Sequence, residues 1–378
     1  MTVEAEPRRA LDARVIEVLP IGARFVLRNR RTGATILSDA HGLAILEGLE
    51  RSRAIDAIAE DLKAAFEDRS EARAAVEETL LQWSEAGLWG VSPVAFPDPP
   101  ETASPAPCSA VFRLGERSLR LSCDDRWLFD DICALMSSYR ASSTSATMPA
   151  IAVTHGARGH LVCEDGQPLW RHATSDEARF LVLQAAQRLL LGPEAVSVVL
   201  HAATVTREGR ALLLAGASGR GKTSLALRLV REGWSFAGDD LVALSEDGGH
   251  ILPLPFAANC KSQDDLGRLA GTWRSEARRA RCGGLVWPEP RAAAGQPVPV
   301  AGLVLPSFEA RQGFSKRART PEETLVDLLT SGTEVLGRTG SLEPLTALLN
   351  GIPIEAWQFG KTDDAVRAAC DLFSSRLR

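Results

Sequence analysis

Ala211-Leu212-Leu213-Leu214-Ala215-Gly216-Ala217-Ser218-Gly219-Arg220-Gly221-Lys222-Thr223-Ser224 decides the fold of most of this chain. The apolar run Ala211–Ala215 reads as a buried strand. It leads into Gly216–Thr223, which has the pattern G-x-x-x-x-G-K-[ST]. Ser224–Arg231 follows with Leu225, Leu229 and Val230 on a helical period, and Gly233 reads as its left-handed stop. The context is therefore strand, loop, helix, as this motif requires. Its glycines let successive backbone N–H groups converge on phosphate oxygens, and the helix N-terminus adds partial positive charge. Gly216, Ala217, Ser218, Gly219, Arg220, Gly221, Lys222, Thr223 and Ser224 are thus the expected nucleotide-phosphate cradle. Lys222 is placed to reach the β- and γ-phosphates, and the Thr223 hydroxyl to ligate Mg²⁺. Only Lys63, Lys222, Lys261, Lys316 and Lys361 are lysines among 43 basic residues, which makes a chance match less frequent.

Downstream, Trp234–Ala237 reads as a strand ending in Gly238-Asp239-Asp240, and Asp239 lies only 17 residues after Lys222. The competing reading of such a pair is a solvated turn after a strand. Beside a phosphate loop, an acid at a strand's C-terminal end is the usual second Mg²⁺ anchor. A second acid can accept a proton from an incoming hydroxyl. Upstream, Val198-Val199-Leu200-His201-Ala202-Ala203 is apolar except for His201, a position where a histidine is more often a satisfied core residue than a catalyst.

The whole chain of 378 residues is 45% hydrophobic and 24% charged, the balance of a globular protein. A net charge of −5 excludes a broad basic footprint, so no nucleic-acid partner is expected. No apolar run long enough for a membrane helix is present, and Met1–Leu11 lacks a signal-peptide core. The seven cysteines are odd in number and form no C-x-x-C pair, which predicts neither a disulfide framework nor a zinc site and fits a reducing cytoplasm. The five-residue spacing of His155 and His160 predicts different faces of one element.

Residues 1–90 read as a separate small α+β unit, winged-helix-like in outline. Arg14–Leu19 and Ala23–Leu37 are strand-like, broken by a turn at Asn29–Gly33. Three amphipathic helices follow, marked by Leu43, Leu46 and Leu49 after a cap at Ser38 or Asp39, by Ile55, Ile58, Leu62 and Phe66, and by Val76, Leu80 and Trp83. Residues 91–109 form a Pro-rich linker, and 110–378 a second, α/β domain with a mixed sheet.

Leu200-His201-Ala202, Gly216–Thr223 and Ala237-Gly238-Asp239-Asp240 together resemble the catalytic domain of the HPr kinase/phosphorylase family. Pro253-Leu254-Pro255-Phe256 before Lys261, and Ile352–Gly360 before a final helix, add to the likeness. The resemblance implies an HPr-kinase-like P-loop domain using ATP and Mg²⁺, with Lys222 on phosphate, Thr223 and Asp240 on Mg²⁺, Asp239 as general base, and His201 orienting Asp239. The later glutamate-bearing signature of HPr kinases has no recognisable counterpart, which leaves HPr regulation and reverse phosphorolysis open. Residues 14–89 are similar to the PqqD-like family, through the two strands, Ala34–Asp39 leading into the first helix, Ile55–Phe66, and Val76–Leu88 closing in Gly87-Leu88-Trp89. That resemblance implies binding of the leader of a ribosomally made precursor peptide by strand addition. The combined expectation is an ATP-dependent kinase that phosphorylates a hydroxyl side chain of such a peptide. An HPr-type serine kinase and a non-transferring ATP-dependent switch remain as alternatives, and a homo-oligomer remains open.

Overall fold

The computed structural model describes residues 16–21, 24–29, 35–66, 68–85, 88, 108–142, 148–156, 159–261, 266–267, 272–277, 284–330, 334–335 and 342–374. Residues 1–11, most of the turn expected at 29–33, the Pro-rich segment 91–107, Gly87 and Trp89 lie outside the described residues. The chain divides into two compact units, Met1–Pro97 and Asp98–Arg378.

In the first unit β1 (Ile16–Ile21), β2 (Arg24–Asn29) and β3 (Thr35–Ser38) form an antiparallel sheet in that order. Helices α1 (Ala40–Glu50), α2 (Ile55–Leu62) and α3 (Arg69–Glu85) follow. Of the two candidate caps for α1, Asp39 acts, accepting from the Gly42 N–H at 3.0 Å. The helical stripes meet the sheet in one core of Leu27, Ile45, Leu46, Ile58, Val76, Trp83 and Leu88. Gly48 lets α1 approach α2 closely, for a Cβ there would lie 2.7 Å from Ile58 Cγ1.

The second unit opens with a six-stranded sheet ordered β6-β4-β5-β7-β8-β9. Its strands are β4 (Cys108–Leu114), β5 (Arg117–Cys123), β6 (Arg140–Ala141), β7 (Ala150–Gly156), β8 (Gly159–Glu164) and β9 (Gln167–Ala173). Helices α4 (Arg126–Leu135) and α5 (Ser175–Leu191) pack their apolar residues, among them Ile132, Val182 and Ala186, into a core with Phe112, Leu121 and Val153. The β7–β8 hairpin sets His155 directly opposite His160, with ring centroids 4.8 Å apart. The expectation of different faces assumed one continuous element. A hairpin folds the two positions back together instead.

The phosphate-loop strand lies in a second, ten-stranded mixed sheet. Its strands begin with β10 (Val196–Leu200), β11 (Ala202–Arg207), β12 (Arg210–Ala215), β13 (Ser235–Gly238), β14 (Val242–Ser245) and β15 (His250–Leu252). A small antiparallel sheet, β16 (Ala258–Cys260), β17 (Arg274–Ala277) and β18 (Gly284–Trp287), interrupts the order. The large sheet resumes with β19 (Val298–Phe308), β20 (Ser315–Ala318), β21 (Glu334–Val335) and β22 (Ile354–Phe359). β12 runs parallel to β19 and β19 parallel to β22, whereas β11 pairs antiparallel with both β12 and β13. Helix α6 (Lys222–Arg231) buries Leu225 and Leu229 with Val205, Leu212, Leu214, Trp234, Phe236 and Trp357. The expected unbroken strand through His201 is split there. β10 pairs with β14 and β21, while β11 turns to β12 and β13, so His201 stands at the corner.

Thr174 and Glu177 form a reciprocal capping box at the start of α5. Thr174→Ala is expected to cost about 1 kcal/mol, seen as a fall of about 2–4 °C in Tm by calorimetry.

Candidate phosphate-binding site

The site forms where β12, β13 and β16 bring their ends together. The chain leaves β12 through Gly216–Gly221 and enters α6 at Lys222. Gly221 is the helix N-cap in a left-handed conformation, φ 93°, which favours glycine, and a Cβ there would come within 3.2 Å of Phe308 Cβ. It offers no side-chain cap to the first turn of α6. The Lys222 ammonium donates to the carbonyls of Gly216 at 2.6 Å and Ala217 at 3.1 Å, inside the curl of the loop. Lys261, just past β16, reaches the opposite rim and donates to Ser218 Oγ at 2.6 Å.

The acids stand in a tight turn after β13, and Asp240 itself is left-handed with φ 64°. This conformation is costly for most side chains but tolerable for Asp. Asp239 points inward and is 6% exposed, while Asp240 is only partly buried. The Thr223 hydroxyl donates to both Asp239 oxygens, at 2.9 and 3.1 Å. The Asn259 N–H donates to Asp239 Oδ2 at 3.0 Å, and the Asn259 side chain donates to Asp240 Oδ2 at 3.4 Å. Burial, together with the neighbouring Asp240 carboxylate, pushes Asp239 up to about 7. Burial, reinforced by the Lys222 and Lys261 charges, pushes His201 down to about 4, and burial also lowers Lys222. The His201 ring lies 5.6 Å from that of Phe180.

The structure thus brings together Lys222, Thr223, Asp239, Asp240 and His201, but the pairing differs from the one the resemblance implied. Thr223 is bonded to Asp239 rather than sharing a site with Asp240. The Asp240 charge raises His201, against the larger lowering by burial and by Lys222. Asp240, in its left-handed conformation, is instead bonded by the Asn259 side chain. Asn259 is the member that sequence reasoning missed. Its signal was a lone amide in the apolar run Ala257-Ala258-Asn259-Cys260, two residues before Lys261.

A buried carboxylate, a hydroxyl bonded to it and a second carboxylate beside them are hard oxygen donors. They suit Mg²⁺, which is held by one or two carboxylates plus substrate phosphates rather than by an all-protein cage. No group of three or more His, Cys, Asp and Glu among the described residues is placed to hold a metal ion by itself. No helix of the described residues is long and apolar enough to cross a membrane.

Residues 24–88 match the family of coenzyme PQQ synthesis protein D, PqqD. They form a PqqD-like domain. Among solved structures, the chain is similar to TbiB1 in complex with the TbiA(β) leader peptide, at 22% identity over 21% of this chain and 93% of that one, with a TM-score of 0.19. It is also similar to the HPr(Ser) kinase/phosphatase of Coxiella burnetii, at 14% identity over 47% of this chain and 95% of that one, with a TM-score of 0.21. No curated protein matches the chain.

The raised pKa of Asp239 has a consequence for stability. Between pH 3.8 and about 7 the folded chain keeps a proton that the unfolded chain releases, so this group makes stability fall as pH rises through that window. Asp239→Asn removes the penalty. In Mg²⁺-free urea unfolding, the variant's gain over the parent is expected to grow from pH 4 to pH 7. A gain independent of pH would refute the assignment.

Proposed function

We propose that this protein is an ATP- and Mg²⁺-dependent kinase, HPr-kinase-like in its second unit, that phosphorylates a hydroxyl side chain of a ribosomally synthesised precursor peptide. The observation that carries the reading is the Thr223 hydroxyl bonded to the buried Asp239 at the mouth of the glycine loop, with the partly buried Asp240 beside it. A switch that does not transfer phosphate has no need of a base for a peptide hydroxyl.

The roles follow from burial. Lys222 and the loop amides hold the triphosphate. Thr223 and Asp239 hold Mg²⁺, which supplies charge neutralisation on the phosphates when bound. Asp240, the acid that solvent reaches, takes the proton of the incoming hydroxyl as its oxygen attacks the γ-phosphorus, while the bond from that phosphorus to the β–γ bridging oxygen breaks and ADP leaves. Asn259 keeps the two carboxylates apart through one bond to each. His201, held neutral by burial, borders Asp240 without adding positive charge that would weaken it as a base. Exchanging the two acids in this way assigns the base to the side chain a substrate can touch.

The PqqD-like domain is the part we assign to the peptide. Its winged-helix-like sheet ends in the short strand β3, where an extended leader can add as a further strand.

The test is incubation with ATP, Mg²⁺ and the precursor peptide, read by mass spectrometry. One added phosphoryl group on the peptide is expected. ATP hydrolysis with no peptide modified favours the switch, and transfer to an HPr-type protein alone favours the regulatory kinase. Asp240→Asn should keep MgATP binding and lose about 10²–10⁴-fold in transfer rate, whereas Lys222→Ala should lose ATP binding in calorimetry with the fold intact.

Removing residues 1–97 is a separate check on the peptide assignment. It should leave ATP affinity unchanged and raise KM for the full-length precursor. Unchanged KM would remove the N-terminal unit from substrate recognition.

A further inference from the structure

Three large apolar side chains are strongly exposed among the described residues: Leu81, Trp127 and Phe308. Phe308 alone stands against the phosphate loop. It ends β19, its N–H donates to the Arg220 carbonyl at 3.2 Å, and its Cβ is the atom that a side chain at Gly221 would meet. Its ring is 45% exposed, yet it is fixed from below by an edge contact with the buried Phe359 ring, centroids 5.8 Å apart.

The sheet defines which end of a nucleotide comes here. Asp239 and Asp240 follow β13, on one side of β12, with β11 between them. They mark the γ-phosphate end. On the other side of β12 lie its parallel neighbours β19 and β22, ending in Phe308 and Phe359. Ligands of sheets with parallel strands lie beyond the strands' carboxyl ends. Side chains alternate along β19, and Val304 faces the α6 core, so Phe308, four residues on, is on that same face. A triphosphate curled in the loop with its γ end toward the acids therefore sends its nucleoside end out over β19 and β22, along the first turn of α6.

We propose that Phe308 is the nucleobase platform of this site, the face on which the base of the bound nucleotide stacks. Burial of Phe359 beneath it holds the ring in place before any ligand arrives. A bare stacking face accepts any base, so this contact adds affinity for nucleoside triphosphates without selecting adenine over guanine.

The inference rests on the loop being a nucleotide site, and the experiment separates the two. Calorimetry in Mg²⁺ compares ATP with inorganic tripolyphosphate, which has the phosphates but no base. Phe308→Ala in the full chain should weaken ATP about tenfold and leave tripolyphosphate within about twofold. Phe308→Tyr should restore ATP affinity. Equal weakening of both ligands would mean that Phe308 only shapes the loop, and unchanged ATP affinity would place the base elsewhere; either result overturns the proposal. Failure of the parent protein to bind either ligand would overturn the nucleotide reading itself.

Discussion

The hydrogen bond from Thr223 to Asp239 ties together parts of the chain that nothing local would bring into contact. Thr223 opens α6, on the strand β12, while Asp239 leaves β13, and β11 lies between those two strands. For the bond to form, the sheet must be in register across all three. It must also exclude water from the carboxylate, since Asp239 is almost wholly buried. A buried carboxylate without partners is among the more expensive things a protein can hold. Here the hydroxyl and the Asn259 N–H satisfy it only in part, and the Asp240 charge next to it works the other way. Asp239 is thus held against its own charge, and that cost appears as its raised pKa.

The same constraint explains why the two acids differ although they are adjacent. A strand that simply continued would place consecutive side chains on opposite faces. The left-handed backbone at Asp240 instead turns the chain, so that both carboxylates stay at the sheet's end but only one enters the protein. Asn259 reads both, through its main chain to Asp239 and its side chain to Asp240. One residue therefore couples the position of the buried acid to that of the accessible one. Its own position depends on β16 pairing with β18, so the small three-stranded sheet is part of the site rather than an appendage.

Much of this was legible in the sequence because the decisive signals were local. The phosphate loop, its flanking strand and helix, and the acid pair announce themselves by residue type and short spacing. So do Asp39 before α1 and the helical stripes that meet in the first core. What was not legible depended on pairing between distant segments. His155 and His160 looked separated until a hairpin opposed them, and the apolar run through His201 looked like one strand until its halves took different partners. The partners of Asp239 and Asp240 belong to the same class: sequence places the two acids side by side, and the fold bonds Asp239 to Thr223 and to the Asn259 N–H, and Asp240 to the Asn259 side chain. Asn259 was missed because its main-chain N–H does half of its work, and a main-chain group has no sequence signature.

Separating peptide recognition from chemistry follows from how strand addition works. A leader that pairs with a sheet edge is held largely by its backbone, so its affinity is nearly independent of the residue to be modified. Under the proposed function, the second unit is then relieved of binding the acceptor tightly, since holding the leader raises the effective concentration of the acceptor hydroxyl to the order of mM, enough for a carboxylate such as Asp240 to meet a hydroxyl that it binds only weakly. An acid recessed like Asp239 would not serve, because the acceptor would have to enter the core to reach it. Under the proposed function, the partly buried Asp240 and the distinct PqqD-like domain divide the work, with affinity taken from the leader and proton transfer from the turn after β13.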